Sequence, residues 1–393
     1  MSSANTKPPW MRSIWYNAHP RLMREEYAKG PIVGEWEEQT HTDVESLKEQ
    51  IRPYDKTELW DLAKRITNPY ELISTFSNRL KLPKSTCCHH PLSRSFFKMI
   101  EILNHLDFFT RHKSPKYRSL HVCEGPGGFI EAFQYLAKEK DRRIQGSYGM
   151  TLKSTHMMIP GWKRATQFLE KHKNVHILFG PSRTGNIFEP ENQQACREAV
   201  GDMGAHLVTA DGGFDFSEDF SNQEKNMLRL LVNSAIILLE SVAVEGDIVL
   251  KFFDCNAQPT RDLIRILASC FQQWTLYKPV TSRPCNSEWY FLGKSAHRDR
   301  RDAIQFLKQI RDMYEANPDI TFKALLESNS MNTFLIDLQK ERTTKQIVSL
   351  QEVLAFCRDY KELDQAALWE AHREDTIRWC IAFRMPTEFK LKT

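Results

Sequence analysis

The chain has 393 residues, which allows one elaborated domain or two domains, and its 41% hydrophobic and 26% charged residues are ordinary for a globular protein. The formal net charge of +4 allows a nucleic-acid partner without requiring one. The most apolar run, residues 228–244, contains Arg229 and Glu240 and is therefore excluded as a membrane-spanning helix, and nine cysteines in so long a chain are not a disulfide framework.

Three regions differ in pattern along the chain. Residues 1–85 are rich in aromatic and charged side chains, residues 86–295 alternate strand-like and helix-like segments, and residues 296–393 are mostly helical in pattern and strongly charged. We therefore predict an N-terminal extension, a central domain and a helical C-terminal region. The first residues lack the apolar core of a secretory signal, and together with the cysteine usage this indicates a reducing intracellular compartment.

A helix is expected near the start of the central region. Its apolar residues recur at helical spacing and form a core-facing stripe of Phe96, Met99, Ile100 and Leu103. Short apolar runs predict strands at residues 119–123, 144–150, 174–179, 205–210, 247–253, 274–277 and 289–292. An amphipathic stretch over residues 162–171 separates the second and third of these strands.

A long apolar helix is predicted between the fourth and fifth strands. Ser221 and Glu224 form a capping box at its start, it runs to about Val244, and Gly246 is expected as its C-terminal stop. Strands that alternate with helices predict an α/β fold, in which a mostly parallel sheet is covered on both faces. Because the last two strands lie close in sequence, we expect an antiparallel strand at one edge of this sheet.

A glycine-rich turn, Gly-Pro-Gly-Gly at residues 125–128, follows the first strand and precedes a helix. It lacks the spacing of dinucleotide-binding and P-loop motifs, so these two classes are disfavoured. A plain tight turn is the alternative interpretation. The longer stretch His-Val-Cys-Glu-Gly-Pro-Gly-Gly-Phe, residues 121–129, resembles the cofactor motif of the FtsJ-type ribose 2'-O-methyltransferases.

Further segments resemble that family in the same order along the chain, namely residues 93–99, 148–153, 209–214, 249–253 and 278–288. The last of them, Lys-Pro-Val-Thr-Ser-Arg-Pro-Cys-Asn-Ser-Glu, is similar to the branch of the family that methylates capped mRNA, as is the segment at residues 180–192. The match covers about residues 90–295, and the compact motif spacing is similar to that of trypanosomatid cap-1 enzymes. The resemblance implies a Rossmann-like fold, S-adenosylmethionine as cofactor and capped RNA as substrate.

The resemblance also implies a catalytic set of Lys98, Asp211, Lys251 and Glu288. A ribose hydroxyl is a poor nucleophile near neutral pH, so a base must take its proton. Lys251 lies in a run that should be buried, and we expect it to be this base, with a pKa lowered by burial and by Lys98. Asp211 and Glu288 would orient the lysines. Each of the other three residues also has an ordinary structural interpretation. Lys98 could be a solvated lysine on a helix surface, Asp211 a turn residue and Glu288 a surface charge on an edge strand.

A second set of residues is implied for cofactor binding. It consists of Glu124, Gly125, Pro126, Gly127, Gly128, Phe129, Thr151, Leu152, Asn186 and Asp211. Asn186 stands where the cap-specific branch often has an aspartate beside the adenine, so this contact stays open. No metal is expected, because the adjacent residues Cys87, Cys88, His89 and His90 could not wrap an ion without strain and are interpreted as a loop.

Several alternatives remain open at this point. The enzyme could modify the second transcribed nucleotide or act on ribosomal or transfer RNA, or the chain could be a catalytically silent module that binds RNA or a partner. The cap-specific motif argues against ribosomal or transfer RNA, and the four filled catalytic positions argue against a silent module. We favour modification of the first nucleotide of capped RNA, with the second nucleotide as the alternative. A cellular enzyme of this kind is expected in the nucleus, and a viral one in the cytoplasm.

The outer regions allow two interpretations each. Residues Trp10, Trp15, Tyr16 and Trp36, with Arg12, Arg21 and Arg24 between them, suit either stacking on a cap or ordinary packing. The basic run at residues 297–301 suits either phosphate contacts or an exposed helix start. The stripe Ile304, Leu307 and Ile310 suits either a capping or transcription partner or a helix that covers the sheet.

Overall fold

The computed structural model describes residues 14–17, 24–38, 42–75, 80, 82–153, 161–213, 223–328 and 330–391. The strands are β1 (Tyr16–Asn17), β2 (Ile32–Val33), β3 (Tyr117–Val122), β4 (Ile144–Met150), β5 (Val175–Leu178), β6 (Ala205–Ala210), β7 (Val242–Phe252), β8 (Phe271–Tyr277), β9 (Trp289–Ala296) and β10 (Phe322–Ala324). The helices are α1 (Arg24–Ala28), α2 (Thr42–Ile51), α3 (Glu58–Ile66), α4 (Ser95–His105), α5 (Phe108–Arg111), α6 (Gly128–Glu139), α7 (Thr166–Lys171), α8 (Pro190–Val200), α9 (Gln223–Ser241), α10 (Gln258–Ala268), α11 (Arg301–Ala316), α12 (Asn332–Asp359) and α13 (Gln365–Ala382).

One eight-stranded sheet organises the chain, in the order β1-β8-β9-β7-β6-β3-β4-β5. Strands β3 to β7 run parallel, and β9 runs antiparallel to both β7 and β8. The predicted mostly parallel sheet and the antiparallel pairing of the last two strands are confirmed. Within that pair, β9 rather than β8 adjoins β7, so the segment before β9 meets the carboxyl end of β7. The short strand β1 pairs antiparallel with β8 at the outer edge.

The predicted end of the long helix is wrong. Helix α9 ends at Ser241 and β7 begins at the next residue, so Gly246 lies inside a strand instead of stopping the helix. The β-branched residues after Ser241 suit a strand as well as an apolar helix, which is why the periodicity misled. A Cβ on Gly246 would stand 3.0 Å from the Ala205 carbonyl oxygen, because the neighbouring strand passes close by.

The capping box predicted for the same helix lies partly outside the described residues, because Ser221 is not among them. Its partner Glu224 is buried and accepts hydrogen bonds from the backbone of Asn256 at 2.9 Å and Ala257 at 2.9 Å. Glu224 therefore fixes the loop after β7. In the described part of the chain, no helix is both long and apolar enough to cross a membrane.

The outer regions of the chain pack on each other. Residues of α2, α3, α12 and α13 share one hydrophobic cluster with Cys285 of the segment before β9. The predicted stripe on α11 is buried instead against the main core, where Leu307 and Ile310 are both fully covered. This stripe therefore covers the sheet and is not open to a partner helix.

Helix α4 joins these parts through one buried carboxylate. Its stripe of Phe96, Met99, Ile100 and Leu103 is buried as predicted. On the same helix, Glu101 is 1% exposed. It accepts five hydrogen bonds, from Tyr277 Oη, Val280 N, Thr281 N, Thr281 Oγ1 and Trp379 Nε1, at 2.6–3.2 Å. Burial raises the pKa of Glu101, although these donors oppose the shift.

We expect Glu101→Ala to lower the free energy of unfolding by at least about 3 kcal/mol, because several buried donors would lose their acceptor. Urea unfolding measures the loss. The exposed Glu198→Ala on α8 is the matched control and should change stability by less than about 0.5 kcal/mol. Similar losses in the two variants would contradict the role given to Glu101.

Candidate active site

The carboxyl edge of the parallel strands collects most of the predicted site residues. Glu124 follows β3, Thr151 follows β4, Asp211 follows β6, and Lys251 is the penultimate residue of β7. Because β9 is antiparallel to β7, Glu288 just before β9 reaches the same edge. This is the edge at which open α/β sheets bind ligands.

The four predicted catalytic residues form two ion pairs. Lys98 Nζ lies 2.6 Å from Glu288 Oε1, and Lys251 Nζ lies 3.4 Å from Asp211 Oδ1 and 3.0 Å from the Asp211 carbonyl oxygen. None of the four side chains is more than 17% exposed. Lys98 is thus neither a solvated helix lysine nor part of the apolar stripe, and Glu288 is not an exposed edge charge.

The charges of the two pairs interact. Burial alone would raise the pKa of Glu288, but Lys98 and Lys251 outweigh it and hold this pKa well below the ordinary glutamate value. Burial alone would lower the pKa of Lys251, but Asp211 and Glu288 outweigh it, so this pKa is raised. The expected lowering of the Lys251 pKa is therefore wrong, because two carboxylates act on this ammonium.

Three residues that were not predicted complete the surroundings of the pairs. Tyr290 Oη donates to Asp211 Oδ1 at 2.9 Å, and Ser282 Oγ donates to Glu288 Oε1 at 2.9 Å. Lys278 Nζ donates to the Glu288 carbonyl oxygen at 2.9 Å, and burial lowers its pKa to about 8. Lys278 and Ser282 stand in the same motif as Glu288, and this motif was the only sequence signal for them.

Glu124 lies beside the pairs, under the glycine turn. Its Oε1 accepts a hydrogen bond from the backbone of Phe129 at 2.5 Å. Its Oε2 is buried and has no hydrogen-bond partner among the described residues. Burial and the nearby Asp211 raise the pKa of Glu124 well above the ordinary value. A buried carboxylate oxygen that lacks a hydrogen-bond donor is suited to accept a hydrogen bond from a ligand.

The glycine turn is closely packed on its protein side. A Cβ on Gly125 would stand 2.8 Å from the Gly161 carbonyl oxygen, and one on Gly128 would stand 2.2 Å from Ser95 Oγ. Gly127 has a φ of +109°, which side chains rarely adopt. Close packing therefore excludes a side chain at Gly125 and Gly128, and the backbone conformation disfavours one at Gly127.

The remaining residues predicted for the cofactor lie along the same edge. Thr151 is buried and Leu152 is 41% exposed. Asn186 is half-buried, and its Oδ1 accepts a hydrogen bond from the backbone of Phe188 at 3.1 Å. The amide oxygen of Asn186 therefore takes part in a local turn of its own loop.

The other candidate residues lie elsewhere or are engaged. Trp15 stacks on His105, and the Trp36 indole donates to Glu38 Oε1 at 2.8 Å, so both aromatics take part in packing. Trp10, Arg12 and Arg21 lie outside the described residues. In the Cys-Cys-His-His run, Cys87 is buried in a hydrophobic cluster and His89 lies 3.3 Å from Glu131.

A parallel sheet with an antiparallel strand inserted beside its last parallel strand, and a polar site at its carboxyl edge, defines a Rossmann-like methyltransferase fold. Residues 91–296, just over half of the chain, match the family model described as FtsJ-like methyltransferase. The chain belongs to this family.

Curated relatives are similar over a larger part of the chain. The Drosophila melanogaster protein named cap-specific mRNA (nucleoside-2'-O-)-methyltransferase 1 is 28% identical over 73% of this chain and 39% of its own length. The protein of the same name from Dictyostelium discoideum is 26% identical over 89% of this chain and 47% of its own length. This chain therefore spans less than half the length of these relatives. Among solved structures, a putative ribosomal RNA methyltransferase from Plasmodium falciparum is 18% identical, with a TM-score of 0.37, over 52% of this chain and 97% of that one.

The free energy of unfolding of a Lys98 variant should show how strongly Lys98 stabilises the charge of Glu288. Lys98→Met should destabilise the fold by about 3–5 kcal/mol near neutral pH, because Glu288 would remain buried with one fewer cation. The depressed pKa of Glu288 contributes stability above the ordinary carboxylate pKa, and this contribution is lost as the pH falls through the folded pKa. The difference between wild type and variant should therefore shrink towards about pH 3.

Urea unfolding at neutral and acidic pH measures this difference. Lys84→Met serves as the control, because Lys84 forms an exposed pair with Glu388 that solvent screens, so its removal should change stability little at either pH. A difference for Lys98→Met that stays constant with pH would argue against the coupling of Lys98 to Glu288.

Proposed function

We propose that this chain transfers a methyl group from S-adenosylmethionine to the ribose 2'-hydroxyl of the first transcribed nucleotide of capped RNA. The observation that carries the proposal is the pair of buried lysine–carboxylate contacts at the carboxyl edge of the sheet. The family match and the names of the curated relatives support the same reaction. By the same resemblance, we propose the nucleus as its compartment.

The residues along the carboxyl edge fit the proposed cofactor. S-adenosylmethionine supplies a methyl group on a positively charged sulfur and carries an ammonium on its methionine part. The unpartnered Oε2 of Glu124 would accept from that ammonium, and the backbone of residues 125–128 would border it. Asp211 lies close enough to act electrostatically on Glu124, so both carboxylates suit a cationic ligand.

Lys251 would take the proton of the ribose hydroxyl. Lys98 and Glu288 would form the charged pair beside it. The raised pKa of Lys251 in the free protein is due to the carboxylates of Asp211 and Glu288. A cationic ligand beside Asp211 would offset part of this field and lower the pKa of Lys251. Lys251 would thus be able to accept the proton when the cofactor is bound. Alignment of the ribose oxygen, the methyl group and the sulfur in one line would contribute much of the rate.

Lys251→Met should reduce methyl transfer from labelled S-adenosylmethionine by at least about 100-fold, the typical contribution of a general base. Lys294→Met is a matched control, because Lys294 is also buried, on the adjacent strand β9, with its ammonium over the Trp15 ring. The control should keep its transfer rate once folding has been verified. Equal activity of wild type and Lys251→Met would contradict the assigned base.

The substrate is tested with matched RNAs that carry a methylguanosine cap, an unmethylated cap or a bare triphosphate. Transfer to capped RNA only, blocked by a pre-existing 2'-O-methyl on the first nucleotide, is the expected result. Equal transfer to uncapped RNA would contradict a cap-specific substrate and favour ribosomal or transfer RNA. Cofactor binding without transfer to any RNA would indicate a silent module.

Cofactor binding is tested separately by calorimetry with S-adenosylhomocysteine. Glu124→Gln keeps an acceptor for Phe129 but replaces the other oxygen with a donor, so affinity should fall by about tenfold or more. Because the pKa of Glu124 is raised, binding should release a proton, and the measured heat should depend on the buffer. The exposed Glu139→Gln on α6 should leave both affinity and buffer dependence unchanged.

A further inference from the structure

A second polar site lies at the opposite, amino edge of the sheet. A cavity of about 270 Å³ opens there between the C-terminal ends of α8 and α9 and the N-terminal end of α11. It is lined by four arginines, Arg197, Arg298, Arg300 and Arg301, with Glu240 and two apolar residues. Four arginines from two separate parts of the chain therefore line one concave surface.

The positive charge of this cavity is only weakly balanced. Glu240 is the sole acidic lining residue, and Lys308 neutralises it at 2.5 Å. Arg301 lies 3.8 Å from Asp299, and Arg197 lies 4.0 Å from the fully exposed Asp202, so neither forms a close ion pair. Arg298 is exposed and forms no ion pair with any residue in the described part of the chain.

One arginine is held in place by the fold. Arg300 donates through Nε to the Leu239 carbonyl at 3.3 Å and through Nη2 to the Val242 carbonyl at 2.9 Å. It therefore caps the end of α9 and keeps a fixed charge at the cavity wall. The first turn of the sixteen-residue helix α11 begins at the next residue, and its free backbone N–H groups add to the positive potential.

An exposed apolar residue lies near the cavity. Met203 is 75% exposed. The turn that carries Met203 packs on the start of β7, where a Cβ on Gly204 would stand 2.8 Å from the Ala243 nitrogen. The same turn contacts the cavity, because Arg197 donates to the Gly201 carbonyl at 2.7 Å. The surface thus combines an anion site with an apolar margin.

We propose that this arginine cavity binds the phosphate of a phosphorylated peptide segment of a partner protein. Guanidinium groups match phosphate oxygens in pairs, and a phosphorylated side chain offers about two charges and three acceptor oxygens. The apolar margin suits peptide side chains next to the phosphate. The proposal goes beyond methyl transfer and does not depend on it.

RNA is a less suitable ligand for this cavity. In the register of the neighbouring strand β6, Val242 is opposite Ala205 and Leu250 is opposite Ala210, so the cavity lies about 20 Å from the candidate active site, at the opposite edge. A 5' end bound at the carboxyl edge would have to bend around the sheet to reach it. Binding of nucleic-acid backbones also favours extended basic tracks, whereas this site is a single concavity.

The test uses the full chain and a pool of short fluorescent peptides with a central phosphoserine and degenerate flanks. The same pool without phosphate and an uncapped single-stranded RNA are measured beside it by fluorescence anisotropy. We expect the phosphorylated pool to bind at least about tenfold more tightly than the unphosphorylated pool. Arg298→Glu/Arg301→Glu should abolish this preference, with thermal stability and methyl transfer unchanged.

Arg52→Glu/Arg143→Glu is the matched control, because it makes the same change in net charge at two exposed positions outside the cavity. It should bind the phosphorylated pool as the wild type does. Equal loss in the two double variants would mean a general charge effect and overturn the proposal. No preference of the wild type for phosphate, or a cavity variant that loses only RNA binding, would overturn it as well.

Discussion

The buried carboxylate of Glu101 is the contact on which the geometry of the candidate active site depends. Lys98 and Glu288 lie on separate elements that are far apart in sequence, and their 2.6 Å contact requires α4 and the segment before β9 to be held together. Glu101, one helical turn after Lys98, accepts from the backbone of Val280 and Thr281 in that segment. It also accepts from Trp379 of α13, so the C-terminal region helps to hold the same helix in place.

The second constraint is charge. Two lysines and two carboxylates share a buried space, which is tolerable only because each ammonium has a carboxylate within reach. The balance keeps the pKa of Lys251 raised, and a lysine proposed as a base has to lose its proton. An additional positive charge at the site shifts this balance towards a neutral lysine. The same electrostatics that hold the two ion pairs therefore link the protonation of Lys251 to the charge of a ligand at the proposed site.

The sequence predicted the parallel strands well, because continuous apolar runs that end at turns are a strong signal. The strands at residues 144–150 and 205–210 have the predicted bounds. The junction of α9 and β7 was misplaced because valine-rich segments suit both helix and strand. Tyr290 could not be assigned to Asp211 from the sequence, since their contact depends on the insertion of β9 beside β7 and on its register with Lys251.

Strand β7 connects the two polar sites of the molecule. Its carboxyl end carries Lys251, and the carbonyl of its first residue is held by Arg300 at the arginine cavity. Because the cavity and the candidate active site lie at opposite ends of this strand, a partner bound at the amino edge would leave the carboxyl edge uncovered. We infer that docking at the cavity would localise the chain beside a partner without displacing the residues around Lys251.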